Sequence, residues 1–315
     1  MHPPPPEQQQ SRGDTVLPGG VSSDIRIVHA ADGSYVVKQA LEKLKVKADW
    51  RADPARSSVE VRALRILAHL LGPAHAPRVL WVDAANHRFA MELIAPRFRN
   101  WKQQLLRGEV DLATARSAGQ LLGKLHSRSS QSAALASTFA GIESFTELRI
   151  RPFFERVAER NPALSAAIAD TVARMLRSRD ALVHGDYSPK NLLVDGADVV
   201  ILDCEVAHWG DPRFDIAFCL AHLLLKSFRR GAPQRALREA AAAFLQAYRK
   251  AGLAVLDPHL ARQTACLLLA RLEGDSPVDY LDDLDPHEVK RFAVELLLQP
   301  PSDLELRLGE QGRPA

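Results

Sequence analysis

The sequence predicts an α+β fold of two lobes: a small antiparallel sheet with one main helix, then a mostly helical lobe. Three observations carry this. Short apolar runs separated by turn residues fill positions 15–95 except for one helical stretch. Apolar residues at helical spacing dominate from Asp111 onward. Between the helices lies a polar cluster from His184 to Asp215, interrupted by two apolar runs too short for helices.

Residues 1–14 are rich in Pro and Gln and are expected to be disordered. The first lobe is placed at residues 15–95. Its opening turn, Pro18-Gly19-Gly20-Val21-Ser22-Ser23, has two readings: an ordinary turn, or one whose backbone amides cover phosphates. The strand at 34–40 carries Lys38 among apolar residues, where an ammonium needs an anionic partner. The helix expected at 54–71 puts Glu60 on one face with Leu64, Leu67 and Leu71 and supplies that partner. Arg56, Arg62 and Arg65 are assigned to its other faces. Strands at 77–82 and 89–94 complete the sheet, and residues 91–95 lead as a hinge into the second lobe, residues 96–308.

In that lobe Asp111 caps a helix whose Leu112, Ala115, Ala118, Leu122 and Leu125 form an apolar face. His126 near its end is read as a structural hydrogen-bonder. Residues 142–178 read as helical, with Arg149, Arg151, Arg156 and Arg160 either a solvated face or contacts for an anionic substrate. Asp211-Pro212 starts a helix reaching Leu225. Further helices are expected at 233–251, 257–272 and 286–298, and residues 309–315 should be loose. The acids from Glu273 to Asp285 form either a solvated loop or a wall for a cationic substrate.

The polar cluster carries the chemistry. Leu192-Leu193-Val194 and Val199-Val200-Ile201-Leu202 flank Asp195-Gly196-Ala197-Asp198, a hairpin signal. The open ends of a hairpin lie together, so Asn191 and Asp203 become neighbours, with Asp186 one tight loop upstream. Two carboxylates and a carboxamide are hard oxygen donors of the kind that suit Mg²⁺. Any one such Asp alone reads as a turn cap; the spaced set with an Asp beside a metal is the equipment of phosphoryl transfer.

His184-Gly185-Asp186 with Asn191 five residues on, then Asp203-Cys204-Glu205, then Asp211-Pro212-Arg213-Phe214-Asp215, resembles the aminoglycoside phosphotransferase/choline kinase superfamily, whose fold is protein-kinase-like. The resemblance implies Asp186 as catalytic base, Asn191 and Asp203 as metal ligands, and His184 and Asp215 as supports of the catalytic loop. It implies ATP and Mg²⁺ as cofactors. The phosphates would lie by Gly19, Gly20, Ser22 and Ser23 and be held by Lys38 paired with Glu60; the adenine would meet the backbone at Met91, Glu92 and Ile94. Glu205 either assists the metal or pairs locally, and Glu205, Trp209, Arg271 and Tyr280 are candidate acceptor contacts. Gly185 and Cys204-Glu205 stand where protein kinases have Arg and Phe-Gly, and no Ala-Pro-Glu segment follows. The expected partner is therefore a small-molecule hydroxyl acceptor rather than a protein. Val37-Lys38-Gln39-Ala40-Leu41 with Trp50, Arg56 and Glu60 is similar to methylthioribose kinases, from which the loop ending at Asn191 departs. The expected function is an ATP- and Mg²⁺-dependent kinase of a small, sugar-like metabolite. The alternatives are an aminoglycoside or amino-alcohol phosphotransferase and a non-catalytic nucleotide-binding regulator.

Bulk properties narrow the field. With 41 basic and 38 acidic residues the net charge is +3, which gives no nucleic-acid-binding surface. The three cysteines form no CxxC pair and are expected to be reduced core thiols. No apolar run approaches the ~20 residues of a membrane span, and residues 1–10 contain no hydrophobic leader, so a cytoplasmic location is expected.

Overall fold

The computed structural model describes residues 14–17, 20–31, 33–45 and 50–305. The expected loose tails, apart from Asp14 at the edge of the first, lie outside the described residues, as does Gly19.

Five antiparallel strands in the order β1-β2-β3-β5-β4 build the first lobe: β1 (Thr15–Val16), β2 (Ser23–Ala30), β3 (Gly33–Ala40), β4 (Val79–Asp83) and β5 (Arg88–Glu92). Because β3 runs between β2 and β5, Lys38 sits opposite Ile25 on one side and Phe89 on the other. Helix α1 (Arg56–Leu71) packs on β3, β4 and β5 and buries Arg56, Glu60, Val61, Leu64 and Leu67. It starts two residues later than expected, since Asp53 Oδ1 accepts from the Ala55 N–H (2.8 Å) and holds residues 53–55 as a turn.

The second lobe begins with β6 (Arg99–Asn100), α2 (Trp101–Leu106), α3 (Leu112–Ser129), α4 (Ala133–Thr138) and α5 (Glu143–Phe145). The region 142–178 is helical but broken. A π-helical stretch, Thr146–Glu155, contains Pro152, which lacks the N–H for an α-helical bond. Helix α6 (Arg156–Arg160) then ends at Asn161-Pro162, and α7 (Ser165–Arg177) restarts. The strands β7 (Ala181–Val183), β8 (Leu192–Asp195), β9 (Asp198–Ile201) and β10 (His208–Gly210) follow. Helices α8 (Arg213–Ser227), α9 (Gln234–Ala251), α10 (Pro258–Glu273) and α11 (Pro286–Leu298) complete the lobe, with Asp257 and Asp285 capping the last two. Cys204, Cys219 and Cys266 are free and buried, as expected of core thiols. Among the described residues no helix is long and apolar enough to cross a membrane.

Two glycines set the approach of α3 to α9. A Cβ on Gly119 would lie 2.1 Å from the Phe244 carbonyl oxygen, and one on Gly123 would lie 2.8 Å from the Gly252 nitrogen. That approach lets Tyr248 donate its O–H to His126 Nδ1 (2.9 Å). Gly119→Ala should therefore destabilise the fold by about 1–3 kcal/mol through overpacking. Urea unfolding checks this, and an unchanged midpoint would mean that the helices part freely.

Lys226 on α8 is almost fully buried, donates to the His222 carbonyl (3.1 Å) and lies 5.3 Å from the Tyr280 ring centroid. Burial, reinforced by Lys102 and Arg271, brings its pKa down to about 7. Between that value and its unfolded value near 10.5 the unfolded chain binds the extra proton, so this residue makes stability rise with pH from 7 to 10.5. Lys226→Met should raise the melting temperature at pH 6 by roughly 2 °C or more and flatten the rise above pH 7. Melting scans across that range test it.

Candidate active site

The loop from His184 to Asn191 hangs from a strand end. β7 pairs with β10 and delivers His184, and Gly185 follows with φ +80°, where a Cβ would meet the Val206 carbonyl oxygen at 2.6 Å. Asp215, at the start of α8, is buried and accepts from the His184 N–H (2.7 Å), the Gly185 N–H (2.8 Å) and His126 Nε2 (3.2 Å). Burial pushes its carboxyl up, but His126 and these donors outweigh that and hold it below the usual range. The Leu202 carbonyl accepts from His184 Nε2 (3.0 Å), which leaves His184 Nδ1 to accept from the Asp186 N–H (3.1 Å).

The hairpin forms as the sequence predicts. β8 and β9 pair from Leu192 opposite Ile201 to Asp195 opposite Asp198, with Gly196 at φ +56° in the turn. One further bond, Leu202 N–H to the Asn191 carbonyl (2.9 Å), brings the open ends together. Asn191 Nδ2 donates to Asp186 Oδ2 (2.7 Å) and to the Asp186 carbonyl (3.0 Å). Asp203 has φ +65°, a left-handed backbone that costs a non-glycine residue about 1 kcal/mol or more and is held only because its surroundings demand it.

Those surroundings include the first lobe. Lys38 is 3% exposed and Glu60 1%; the ammonium pairs with Glu60 at 2.8 Å and also contacts the Asp203 carboxylate. Burial works against the charge on Lys38, but Asp203, Glu60 and Glu205 raise its pKa well above the ordinary value. Burial raises Glu60 to about 7, opposed by Lys38. Asp203 is held low by Lys38 and Lys190 despite its burial. Glu205 pairs with Arg56 of the first lobe (3.1 Å). Carboxylate oxygens of Glu60, Asp203 and Glu205 lie within 4.8 Å of one another. This all-oxygen set fits a hard divalent cation and no soft one, while the Asn191 side chain is bonded to Asp186.

Two residues are more central than their sequence suggested. Arg56, assigned to an outer face, is buried and donates to the carbonyls of Ser22 (2.6 Å), Leu41 (2.8 Å), Ala52 (3.2 Å) and Asp53 (2.9 Å) besides Glu205. Its spacing of four from Glu60 was the signal, since i and i+4 share a helix face. Arg149 donates to the Gly185 carbonyl (2.8 Å), pairs with Asp186 Oδ1 (3.1 Å) and packs on the rings of Phe153 and Phe218. No sequence signal marks it, because its placement depends on the π-helical stretch.

A cavity of about 100 Å³ opens between the lobes, with Asp186, Asp203, Glu205, Arg271 and Tyr280 among its walls and Ser22 at its first-lobe edge. Gly20 precedes Ser22 in that turn, and the Ser23 hydroxyl is buried without a hydrogen-bond partner. In the hinge Met91 lies in the sheet and the Glu92 N–H already donates to the Arg78 carbonyl (2.9 Å), so Glu92 offers a base only its carbonyl; Ile94 follows outside the strand. Trp209 is a correction. Its place in β10, opposite Leu182, turns it away from this cavity, and its indole N–H donates to the Arg179 carbonyl (2.7 Å) beside Phe145 and Met175. The acidic loop does reach the cavity, through Ser276, Val278, Asp279 and Tyr280, but four of its carboxylates are paired: Glu273 with Lys290, Asp275 with Arg156, Asp279 with Lys102 and Asp283 with Arg229.

Residues 14–259 match the phosphotransferase enzyme family. The chain belongs to that family. Among curated relatives, the methylthioribose kinase of Escherichia coli O45:K1 (strain S88 / ExPEC) is 25% identical over 256 residues, covering 68% of this chain and 60% of that protein. That of Geobacillus kaustophilus (strain HTA426) is 25% identical over 226 residues, covering 64% and 57%. The phosphotransferase chain thus spans about three fifths of the length of these relatives. Its fold is shared with a choline/ethanolamine kinase family protein from Mesorhizobium loti (TM-score 0.55, 18% identity, 97% of this chain and 95% of that one). It is also shared with an amicoumacin kinase in complex with AMP-PNP, Ca²⁺ and Ami (TM-score 0.59, 13% identity, 93% and 90%). These likenesses bear out the bilobal protein-kinase-like fold expected from the sequence.

The members of the Lys38–Glu60 pair act as a unit. A double-mutant cycle with Lys38→Met and Glu60→Gln should give a coupling of about 1 kcal/mol or more in denaturant unfolding, each single change leaving a buried partner behind. Additive losses would mean that the pair does not form.

Proposed function

We propose that this phosphotransferase is an ATP- and Mg²⁺-dependent kinase that transfers the γ-phosphate to a hydroxyl of a small, sugar-like metabolite. The observation that carries the reading is Asp186. Its carboxylate faces the cavity with one oxygen bonded to Arg149 and the other to Asn191, while Lys38, Glu60 and Asp203 stand on the nucleotide side. The acceptor hydroxyl gives its proton to Asp186 as its oxygen attacks the γ-phosphorus and the bond to the ADP oxygen breaks. Asn191 and Asp203 are the residues that would hold the metal, whose chemistry when bound is to neutralise phosphate charge. Lys38, oriented by Glu60, steadies the α- and β-phosphates, and Ser22 and Ser23 lie where the phosphates are covered. The backbone of residues 91–95 receives the adenine. Asp215 and His184 fix the loop that carries the base.

Intact Lys38, Glu60, Asp186, Asn191 and Asp203 favour an enzyme over a nucleotide-binding regulator. The paired carboxylates of the 273–285 loop, and the cationic Arg149, Arg271 and Lys102 on the cavity wall, favour a sugar-like acceptor over a polycationic aminoglycoside.

Asp186→Asn should lower turnover by about 10²-fold or more while MgATP affinity stays within a few-fold, because it removes the proton acceptor and leaves the nucleotide cradle. A coupled ADP-release assay over an acceptor panel reads both, with pentoses and thiopentoses set against kanamycin-class compounds at equal concentration. Turnover near wild type in Asp186→Asn would remove it as the base. Preferential transfer to the polycation would replace the sugar-like acceptor.

A further inference from the structure

The charges around the cavity are unequally matched. Four carboxylates face it, and each has a cation: Asp186 has Arg149, Asp203 has Lys38, Glu205 has Arg56 and Asp279 has Lys102. Two further cations, Arg271 and Lys190, line the same cavity and, among the described residues, have no carboxylate partner. Lys190 is exposed and can be left to water. Arg271 cannot.

Arg271 lies near the C-terminal end of α10, with its guanidinium 5.6 Å from the Phe153 ring centroid, the ring on which Arg149 also packs. Its Nη1 donates to the Ser276 hydroxyl (3.0 Å), while its Nε is buried with no hydrogen-bond partner. A buried guanidinium N–H left unmade is costly, and a charged one more so. Burial accordingly pulls its pKa below the ordinary guanidinium value, with Asp186, Asp279 and the Tyr280 phenol too distant to bond it. The other basic groups at this wall do not offset it. His222 lines the cavity and is kept neutral by burial and by Arg271, and Lys226 lies just behind, bonded to Tyr280 (3.4 Å). With Nη1 taken by a neutral hydroxyl and Nε closed off by packing, Nη2 is the guanidinium nitrogen left to a ligand, a charge-assisted donor for an anionic oxygen.

We propose that the acceptor carries a carboxylate as well as its reactive hydroxyl, and that Arg271 binds this carboxylate while the hydroxyl lies at Asp186. The proposal rests on the kinase reading and narrows its acceptor to a small hydroxy acid. Arg271 is here a specificity-determining residue and takes no part in proton or phosphoryl transfer.

The test is a binding comparison that needs no turnover, so it separates this inference from the reaction itself, which Asp186→Asn decides. Calorimetric and thermal-shift titrations, with and without saturating MgADP, compare D-ribonate with D-ribose and D-gluconate with D-glucose. In the wild-type protein the acids should bind at least about tenfold more tightly than their neutral partners. Arg271→Gln should abolish that preference while leaving the neutral sugars and MgADP unaffected, and Arg271→Lys should restore part of it. Equal binding of acid and sugar, or no binding of the acids, overturns the proposal, and this wild-type comparison decides even if a variant does not fold. Preference for D-ribose 5-phosphate over D-ribonate overturns the choice of carboxylate. An unchanged preference in Arg271→Gln removes Arg271 as its source.

Discussion

Two buried cations of the first lobe, each holding a carboxylate of the second, set the geometry on which the rest depends. Lys38 on β3 meets Asp203, and Arg56 on α1 meets Glu205, two residues further along. Buried charges are expensive to desolvate and are tolerated only when paired with good geometry. A shift of one lobe against the other would break both pairs together. The Asp203-Cys204-Glu205 segment is thus fixed by charge from above, while the hairpin fixes it from below through the Leu202–Asn191 bond. The left-handed backbone at Asp203 is the strained link between these two demands.

On the other side of the site, Asp215 plays the corresponding part. Its two oxygens gather the backbone of His184 and Gly185 together with the His126 ring, and His126 is in turn bonded to Tyr248. The chain of contacts therefore runs from the α3–α9 glycine contact through three side chains, Tyr248, His126 and Asp215, to the residue before Asp186. A packing detail far from the cavity in sequence helps to set the position of the loop that faces it.

The sequence made the hairpin, the Lys38–Glu60 pair and the clustering of Asp186, Asn191 and Asp203 legible because each rests on local periodicity or a short loop. Asp-Pro and capping signals likewise located α8, α10 and α11 to within a residue or two, and the start but not the end of α3. Arg149 was not legible as a partner of Asp186, since its direction is set by a π-helical stretch that helical periodicity does not describe. Trp209 was misplaced because nearness in sequence to Asp203 and Glu205 says nothing about which side of β10 faces the cleft. The acidic loop looked like a cation site because its carboxylates are close in sequence, whereas the basic residues that neutralise them come from α2, α6, α11 and the end of α8.

The five bonds of Arg56 have a mechanical consequence. The same guanidinium that grips Glu205 also holds the Ser22 and Leu41 carbonyls, at the ends of the turn over the cavity and of β3. The turn, the strand end and the start of α1 therefore travel as a single plate riveted at one point. Ligand entry that lifted the turn alone would strand a buried guanidinium. Any motion of this plate against the second lobe must therefore open the Arg56–Glu205 pair.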